Sequence, residues 1–218
     1  MVLNPWNLDS LLKIKEIYEK EVYTILQLRY LKSIIELRNK IKKRKNKTFD
    51  VDLTYISSRG NWYYTSWKSD INKSGGVVTN IGIHFFDMLI WIFGNVKSNI
   101  VHSHSHDRAS GYLSLKNANI RWFLSINPDT LPKNHRDKKT YRSIKIDNEE
   151  IEFSKNFTEL HSLSYKNILN NKGYGITDAY PSIKLVHDIR NSKLSPLIND
   201  YHPLSKLKQS PHPFDFNL

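Results

Sequence analysis

SGGVVTNIGIHFFDMLIWIFG, residues 74–94, combines a glycine pair with a long apolar run that carries Asn80, His84 and Asp87. The glycines precede the run, and Gly94 at its end supplies a helix stop. In one continuous helix, Asn80 and His84 are four residues apart and Asp87 follows three residues later, so all three project from one side. The other side is apolar and predicts a core helix. Polar groups in such a surface are costly unless they have partners or a task, so the stretch also predicts a functional site.

The same stretch resembles the signature helix of the Gfo/Idh/MocA oxidoreductase family. In that family a glycine pair leads into Asp or Asn, x, Gly, x, His, x, x, Asp, and the matching residues here are Gly75, Gly76, Asn80, Gly82, His84 and Asp87. Longer segments are similar to the nucleotide-sugar branch, the NAD-dependent 3-dehydrogenases of UDP-N-acetyl-glucosaminuronic acid. These segments are NPWNLDSL at residues 4–11, YTILQLRY at 23–30, the stretch 58–94, and FTELHSLSYKNILNNKGYGITDAYPSIKLV at 157–186.

The resemblance implies an NAD-dependent cytoplasmic enzyme that acts on a UDP-sugar during the making of surface polysaccharides such as O-antigen lipopolysaccharide. It also implies a homo-oligomer whose subunits pair through the exposed face of the substrate-half sheet. Members of the family begin with a dinucleotide-binding half that opens with GxGxxG, and a Glu-Lys-Pro segment places a lysine at the reaction centre. This sequence has no GxGxxG, and Met1 stands where the Glu-Lys-Pro segment is expected.

Three interpretations of that departure stay open. The chain is a truncated form of such an enzyme, a catalytically inactive sugar-binding or assembly module, or the substrate half of a split enzyme that meets a separate cofactor-binding chain. NAD is the cofactor that the resemblance implies. Binding of NAD by this chain alone would lack the phosphate-binding turn.

The sequence divides into three predicted regions: residues 1–48 as a partial dinucleotide-binding (Rossmann) segment, 49–200 as the substrate and oligomerisation domain, and 201–218 as a C-terminal tail. The expected fold class is α/β, a remnant of a Rossmann-type segment followed by an open, mainly antiparallel sheet covered by helices. Short polar links join the β-forming runs of the second region, which makes successive strands antiparallel. Those runs lie at residues 51–57, 61–67, 99–105, 110–115, 119–126, 140–146 and 149–153, and helices are expected at 158–170 and 180–191.

Helix and strand signals also alternate in the first region. Residues 2–4 have the pattern of a strand end, a helix runs through about Lys20, residues 22–28 are rich in β-formers, and a second helix runs from Leu31 toward Lys43. That order is typical of a parallel α/β unit.

His84 is the first candidate for chemistry. Oxidation of a secondary alcohol sends a hydride to the nicotinamide and a proton to a base, and an imidazole has a suitable pKa near 7. The alternative is a core histidine that is satisfied by a backbone carbonyl. We expect Asn80 to hydrogen-bond the sugar or the nicotinamide ribose, and Asp87 either to orient His84 or to cap a local hydrogen-bond network.

An aromatic and basic cluster precedes the signature stretch and consists of Arg59, Trp62, Tyr63, Tyr64, Trp67 and Lys68. Aromatic rings stack on a sugar or uracil, and Arg or Lys pairs with phosphate and carboxylate, so Arg59, Tyr63 and Lys68 are expected to bind substrate along with Asn80 and Asp87. The alternative is a sheet face that packs in a core or an oligomer interface.

Weaker candidates lie at the two ends of the chain. Pro5 and Trp6 are expected as remnants of the cofactor site, and Gln27 and Arg29 follow the run that leads into the substrate half. The segment that begins with Glu159, His161 and Tyr165 is predicted to start a helix that could close the site.

Composition limits the partners. The sequence has 33 basic and 21 acidic residues and a formal net charge of +12, but the basic run RNKIKKRKNK at 38–47 is typical of a solvated helix end, and no nucleic-acid-binding motif accompanies it. No stretch of about 20 apolar residues predicts a membrane span, and the absence of cysteine excludes disulfides and thiol catalysis. His102, His104 and His106 alternate, and on a strand they would share one side as a metal face does, yet no second ligand cluster accompanies them and no metal is expected.

Overall fold

The computed structural model describes residues 2–44, 46–147, 149–153 and 159–214. Its helices and strands, in chain order, are α1 (Pro5–Tyr18), β1 (Tyr23–Thr24), α2 (Lys32–Lys43), β2 (Phe49–Ser57), α3 (Trp62–Thr65), α4 (Ile71–Ser74), α5 (Ile83–Phe93), β3 (Val96–His104), β4 (Arg108–Leu115), β5 (Ala118–Ser125), β6 (Thr140–Ile146), β7 (Glu149–Glu152), α6 (Leu160–Leu169), β8 (Tyr174–Gly175) and α7 (Ile176–Asn191). Part of the predicted helix at 158–170 and part of the tail fall outside the described residues.

A six-stranded sheet in the order β3-β4-β5-β2-β6-β7 forms the centre of the molecule. Every neighbouring pair in it is antiparallel except β2 and β5, which run parallel. In the middle of the sheet, Leu53 of β2 lies between Trp122 of β5 and Ile144 of β6. The open, mainly antiparallel sheet covered by helices is therefore confirmed.

Helix α5 is the central core element. All of its side chains are buried except His84 and Trp91, which are partly exposed. Its aromatic rings pack on the sheet: the ring centroids of Phe85 and Tyr55 are 4.4 Å apart, and Phe86 meets Trp122 edge-on at 5.2 Å. Burial of an aromatic or aliphatic side chain of this size contributes about 1.5–3 kcal/mol, so this helix anchors the fold.

The apolar stretch Ile71–Phe93 is longer than the sequence analysis suggested. By length and composition its helical turns could cross a membrane, but 72% of its most apolar window is buried inside the protein. That burial is the behaviour of a core helix, because the apolar surface is already covered by the sheet and the neighbouring helices.

The first region differs from the predicted parallel unit. Helices α1 and α2 form close to their predicted positions, with Pro5 at the first turn of α1 and Asn4 preceding it. The run at 22–28 contributes only β1, which pairs antiparallel with β8, and then a 3₁₀ helix at Gln27–Tyr30. Within residues 2–44 no strand has a parallel neighbour, and β1 joins only the two-stranded sheet that it forms with β8.

The strand predicted at 61–67 is wrong. Residues Trp62–Thr65 form one helical turn, which begins where the Tyr63 amide donates to the Gly60 carbonyl at 3.0 Å. The turn places Tyr63 in the core with 2% exposure and leaves Trp62 55% exposed. Local turn chemistry after Gly60 thus prevailed over the β propensity of the aromatic residues.

The C-terminal segment, residues 192–214, crosses the sheet instead of trailing free. Leu194 forms a parallel bridge with Val101, and the Arg108 guanidinium donates to the carbonyls of Leu207 and Lys208 at 3.2 and 3.1 Å. Within residues 192–214 the helical structure is limited to one short 3₁₀ helix, Pro203–Lys206.

His202 fastens this segment and makes stability depend on pH. It is 4% exposed, its Nδ1 accepts the Leu204 amide at 3.2 Å, and its Nε2 lies 2.9 Å from Thr54 Oγ1. Burial lowers the pKa of His202 from 6.5 to about 4. Between those two pH values the unfolded chain binds a proton that the folded protein excludes, so the contribution of His202 to stability is complete above pH 6.5 and is lost as the pH falls toward 4.

We predict that urea denaturation will show this difference. Between pH 7 and pH 4.5, the wild-type protein should lose about 2 kcal/mol more unfolding free energy than His202→Gln, which keeps a donor for Thr54 but does not titrate. Equal losses in the two proteins would show that His202 is not held neutral.

Candidate functional site

The glycine pair and the turn after it shape the signature segment. Gly75 has a φ of +76°, and a Cβ there would lie 2.3 Å from the side-chain oxygen of the next turn, so glycine is required. Residues Val78–Gly82 then form a π-helical turn before α5 begins. A π turn holds more residues than an α turn, which rotates the side chains after it relative to those before it. The expected one-sided array of Asn80, His84 and Asp87 is therefore not formed, and each side chain has different neighbours.

Asn80 holds the preceding loop against the helix. Its Nδ2 donates to Ser74 Oγ at 2.7 Å and to the Lys68 carbonyl at 2.8 Å, and lies 3.4 Å from Tyr63 Oη. Burial raises the pKa of the Tyr63 hydroxyl, so this phenol stays protonated at neutral pH. The structure thus brings Asn80 and Tyr63 together, and Asn80 fixes the backbone that carries Lys68.

His84 lies on the wall of a cavity of about 460 Å³ between α1, the 22–26 segment, α5 and α7. The remaining walls are mostly apolar and come from Val2, Leu8, Leu11, Val22, Tyr23, Thr24, Ile25, Leu26, Ile83, Ile176, Ala179, Ser182 and Ile183. In the described part of the chain no group hydrogen-bonds the imidazole, so the alternative of a histidine satisfied by a carbonyl does not hold there. Burial lowers the pKa of His84, and His161 lowers it further. The ring is therefore neutral at pH 7 and has a lone pair free to accept a proton.

Asp87 is paired with arginine and does not reach His84. Its two oxygens accept Arg29 Nε at 3.0 Å and Arg29 Nη2 at 2.8 Å. Arg29 also donates to Asp178 Oδ1 at 3.3 Å and to the Asp178 carbonyl at 3.0 Å, and its guanidinium lies 4.6 Å from the Tyr174 ring centroid. With 3% exposure, Asp87 has no oxygen open to a ligand. Asp87 therefore belongs to the local hydrogen-bond network with Arg29. The predictions that it contacts substrate or orients His84 are contradicted by these contacts.

The aromatic and basic cluster is divided between core and surface. Tyr63 and Tyr64 turn inward, and burial, followed by the charge of Asp107, raises the pKa of Tyr64 to about 12. Trp62, Trp67 and Lys68 are exposed, and Lys68 Nζ lies 5.9 Å from the Trp62 ring centroid.

Arg59 is partly exposed, and its amide is anchored to the Ile126 carbonyl at 2.9 Å. Within the described ranges no carboxylate lies within 4 Å of its guanidinium. Arg59 and Lys68 thus keep the charge that an acidic ligand needs.

The three alternating histidines do not share one side. A β-bulge between Val101 and Ser103 breaks the alternation. His102 contacts the Ser195 carbonyl at 3.2 Å, His104 lies beside Gly76, and the His106 ring is 4.9 Å from that of His212. Among the residues that the structure describes, no group of three or more His, Cys, Asp or Glu side chains is placed to hold a metal ion.

The weaker candidate residues differ in burial and in their distance from the His84 cavity. Pro5 begins α1, and the next side chain, Trp6, is 56% exposed. Gln27 has a buried Oε1 without a hydrogen-bond partner. His161 comes close enough to His84 to shift its pKa, which agrees with a helix that borders the site. The α7 wall of the His84 cavity was not predicted; its one sequence signal was the GYGITDAYPS segment at residues 173–182.

Comparison with known proteins places these features in a family. The family model described as the oxidoreductase family, C-terminal alpha/beta domain, matches residues 45–133. The crystal structure of the WlbA (WbpB) dehydrogenase from Thermus thermophilus in complex with NAD and UDP-GlcNAcA is 41% identical with a TM-score of 0.89, and the match covers 93% of this chain and 66% of that one. The same dehydrogenase in complex with NAD and alpha-ketoglutarate is 43% identical with a TM-score of 0.86, covering 89% and 63%.

More distant relatives share the fold. The WlbA dehydrogenase from Bordetella pertussis, in complex with NADH and UDP-GlcNAcA, is 16% identical with a TM-score of 0.70, and the match covers 92% of this chain and 70% of that one. The chain thus spans slightly less than two thirds of the length of the Thermus structures.

The buried ion pair leads to a stability prediction. Asp87→Ala should lower the free energy of unfolding by about 3–5 kcal/mol, because it leaves the Arg29 guanidinium buried without a counter-charge. Asp188→Ala is the control: Asp188 and Lys184 form an exposed pair, which is worth less than about 1 kcal/mol. Chemical denaturation measures both. Equal effects would contradict the assignment, whereas a smaller loss in the Arg29→Met/Asp87→Leu double variant would support it.

Proposed function

Since the chain belongs to the Gfo/Idh/MocA oxidoreductase family, we propose that it is the substrate-binding part of an NAD-dependent UDP-sugar dehydrogenase. The observation that carries the proposal is His84, a neutral imidazole on the wall of a cavity with no hydrogen-bond partner among the described residues. The proposed substrate is UDP-N-acetyl-glucosaminuronic acid or a close UDP-sugar, and the proposed setting is cytoplasmic synthesis of a surface polysaccharide such as lipopolysaccharide.

In this proposal His84 accepts the proton of the sugar hydroxyl that is oxidised. Loss of a hydride from a secondary alcohol leaves a carbonyl only if the hydroxyl proton goes to a base. A neutral ring has the free lone pair that this transfer needs, and its lowered pKa makes it a weaker base than an exposed imidazole. NAD, when bound, supplies the hydride acceptor.

The described residues fit NAD only in part. The mostly apolar cavity beside His84 suits an aromatic ring, but no GxGxxG turn borders it. Helix α7 begins at its edge, and there Asp178 accepts the Gly175 amide at 2.9 Å, so that helix start already holds a negative charge and repels a diphosphate. Pro5 and Trp6 offer no cation for it either. Another polypeptide segment must hold the diphosphate, and the chain's own contribution is the proton acceptor and the sugar contacts.

Arg59 and Lys68 are the proposed contacts of the acidic groups of the substrate. Charge-assisted hydrogen bonds from Arg and Lys to phosphate or carboxylate are stronger than neutral ones, and neither residue is committed to a carboxylate in the described part of the chain. Asn80 positions Lys68 through the Lys68 carbonyl, and the hydroxyl of the buried Tyr63 lies 3.4 Å from the Asn80 amide.

A separate cofactor-binding chain is the second candidate, and exposed apolar side chains favour it. On α1, Ile14, Ile17 and Tyr18 are 49%, 73% and 68% exposed, and on α6, Leu169 is 83% exposed. Apolar side chains concentrated on two helices are typical of a surface that another protein body covers. The homo-oligomer remains a further proposal. Its contact would be the part of the open sheet face that residues 192–214 leave uncovered.

The proposed function makes a prediction about the cofactor. The isolated chain should bind NAD or NADH very weakly or not at all, because the described residues provide no cradle for the diphosphate. Isothermal titration calorimetry measures this directly. A micromolar dissociation constant would contradict the proposal that the diphosphate is held elsewhere.

A further prediction concerns binding of the UDP-sugar at Arg59. UDP-N-acetyl-glucosaminuronic acid should raise the melting temperature of the wild type, since a ligand that binds only the folded state stabilises it. Arg59→Ala should lose most of that shift, whereas Arg136→Ala, an exposed arginine in another turn, should keep it. No shift in the wild type would mean that the chain is a structural remnant.

Reconstitution tests the base. With a cofactor-binding half supplied, His84→Ala should lower turnover by about 100- to 10,000-fold while sugar affinity changes little. Unchanged turnover would assign the base to a residue outside this chain.

A further inference from the structure

A second cavity, of about 330 Å³, lies where the start of α1, helix α4 and the last turns of α7 meet. It shares no lining residue with the His84 cavity. Its polar and aromatic lining consists of Asn4, Trp6, Asn72, His187, Arg190 and Asn191. No acidic side chain lines it, so the cavity presents hydrogen-bond donors and one permanent positive charge.

Arg190 is the charged group of this cavity and has no counter-charge. Its Nη2 donates to the Leu3 carbonyl at 2.7 Å and to Asn4 Oδ1 at 2.9 Å, both neutral acceptors. Its Nε is buried without a partner, and its Nη1 donates to no described residue. In the same described part of the chain, Arg29, Arg108 and Arg121 each have a carboxylate.

An unpaired, partly buried guanidinium is costly. Burial lowers the pKa of Arg190, which reflects the loss of hydration around its charge. Partial burial of a charge without a partner is unfavourable unless an anion completes the site. Gly75 nevertheless leaves room for this guanidinium. A Cβ at Gly75 would lie 3.0 Å from Arg190 Nη1, so the lack of a side chain there lets the guanidinium approach the backbone.

The rest of the cavity suits a ring that carries hydroxyl groups. Trp6 lies 5.2 Å from the His187 ring with the two planes nearly perpendicular, and at 56% exposure much of its indole surface is open. The Asn72 side-chain amide is exposed and has no described partner. An open aromatic face and a free amide are suited to the faces and hydroxyls of a sugar, and a bare phosphate would use neither.

We propose that this cavity binds an anionic monosaccharide, a pyranose that carries a carboxylate. Arg190 pairs with the carboxylate, Trp6 packs on the ring, and Asn72 and His187 hydrogen-bond the hydroxyls. The site is separate from the His84 cavity and requires neither the nucleotide nor NAD.

The test uses the intact 218-residue chain and free D-glucuronate as the probe, followed by calorimetry or saturation-transfer NMR. D-Glucose and inorganic phosphate are the comparison ligands. Both should bind at least about tenfold more weakly than glucuronate, because glucose lacks the carboxylate and phosphate lacks the sugar ring. Arg190→Gln should weaken glucuronate binding about tenfold or more. Trp6→Ala should weaken it about threefold or more.

Trp67→Ala is the matched control, because Trp67 is 57% exposed but lies outside the cavity. It should leave glucuronate binding unchanged. Loss of binding in Trp67→Ala but not in Trp6→Ala, phosphate binding as tight as glucuronate, or no glucuronate binding would each overturn the proposal. If Arg190→Gln fails to fold, the two tryptophan variants decide the question, since both positions are exposed.

A UDP-sugar response that depends on Arg59 belongs to the proposed function, and a glucuronate response that depends on Trp6 belongs to this cavity. Either can fail while the other holds.

Discussion

The buried ion pair between Arg29 and Asp87 joins three parts of the chain that are far apart in sequence. Arg29 belongs to the 3₁₀ helix after β1, Asp87 to the core helix α5, and Arg29 also contacts Asp178 in the first turn of α7. Taking both charges out of water is costly, so the pair is favourable only because its geometry is bidentate and the remaining donors also find acceptors. It is one of the contacts that hold the first region against the core. The His84 cavity depends on this arrangement, since its walls come from the same first region, α5 and α7.

Helix α5 is apolar but carries two partly exposed side chains. Only His84 and Trp91 are partly exposed. His84 precedes the ion-paired Asp87 in the sequence of α5, and Trp91 follows it. Trp91 is covered by the Arg38 guanidinium, 4.0 Å from the ring centroid. His84 has no such cover in the described residues. The π turn before α5 separates Asn80 from it, so the side chain that anchors the loop differs from the one proposed as proton acceptor.

The regular parts of this fold followed from sequence periodicity, and the irregular parts did not. The strands of the large sheet were predicted within a few residues, β6 at its observed bounds, because their side chains alternate and their links are short. The antiparallel pairing of β1 with β8 could not be judged from the residues of β1 alone, since pairing depends on the neighbouring strand. The turn at Trp62–Thr65 and the π turn arise from local hydrogen bonds that a β or α pattern does not encode. Asp87 was placed at the correct helix but given the wrong partner, because its partner Arg29 is 58 residues away in sequence.

The basic side chains of the chain differ in burial and in whether a carboxylate neutralises them. Arg29, Arg108 and Arg121 are paired with carboxylates and organise the fold. Most lysines are exposed, where water screens them and a charge says little about function. Arg59 and Arg190 belong to neither group: both are partly shielded from water, and neither has a carboxylate within 4 Å in the described residues. A shielded cation gains most from an anion, since the attraction is less screened there than at the open surface. Arg59 and Arg190 are therefore the positions at which the proposed acidic ligands would gain most from the positive charge of the chain.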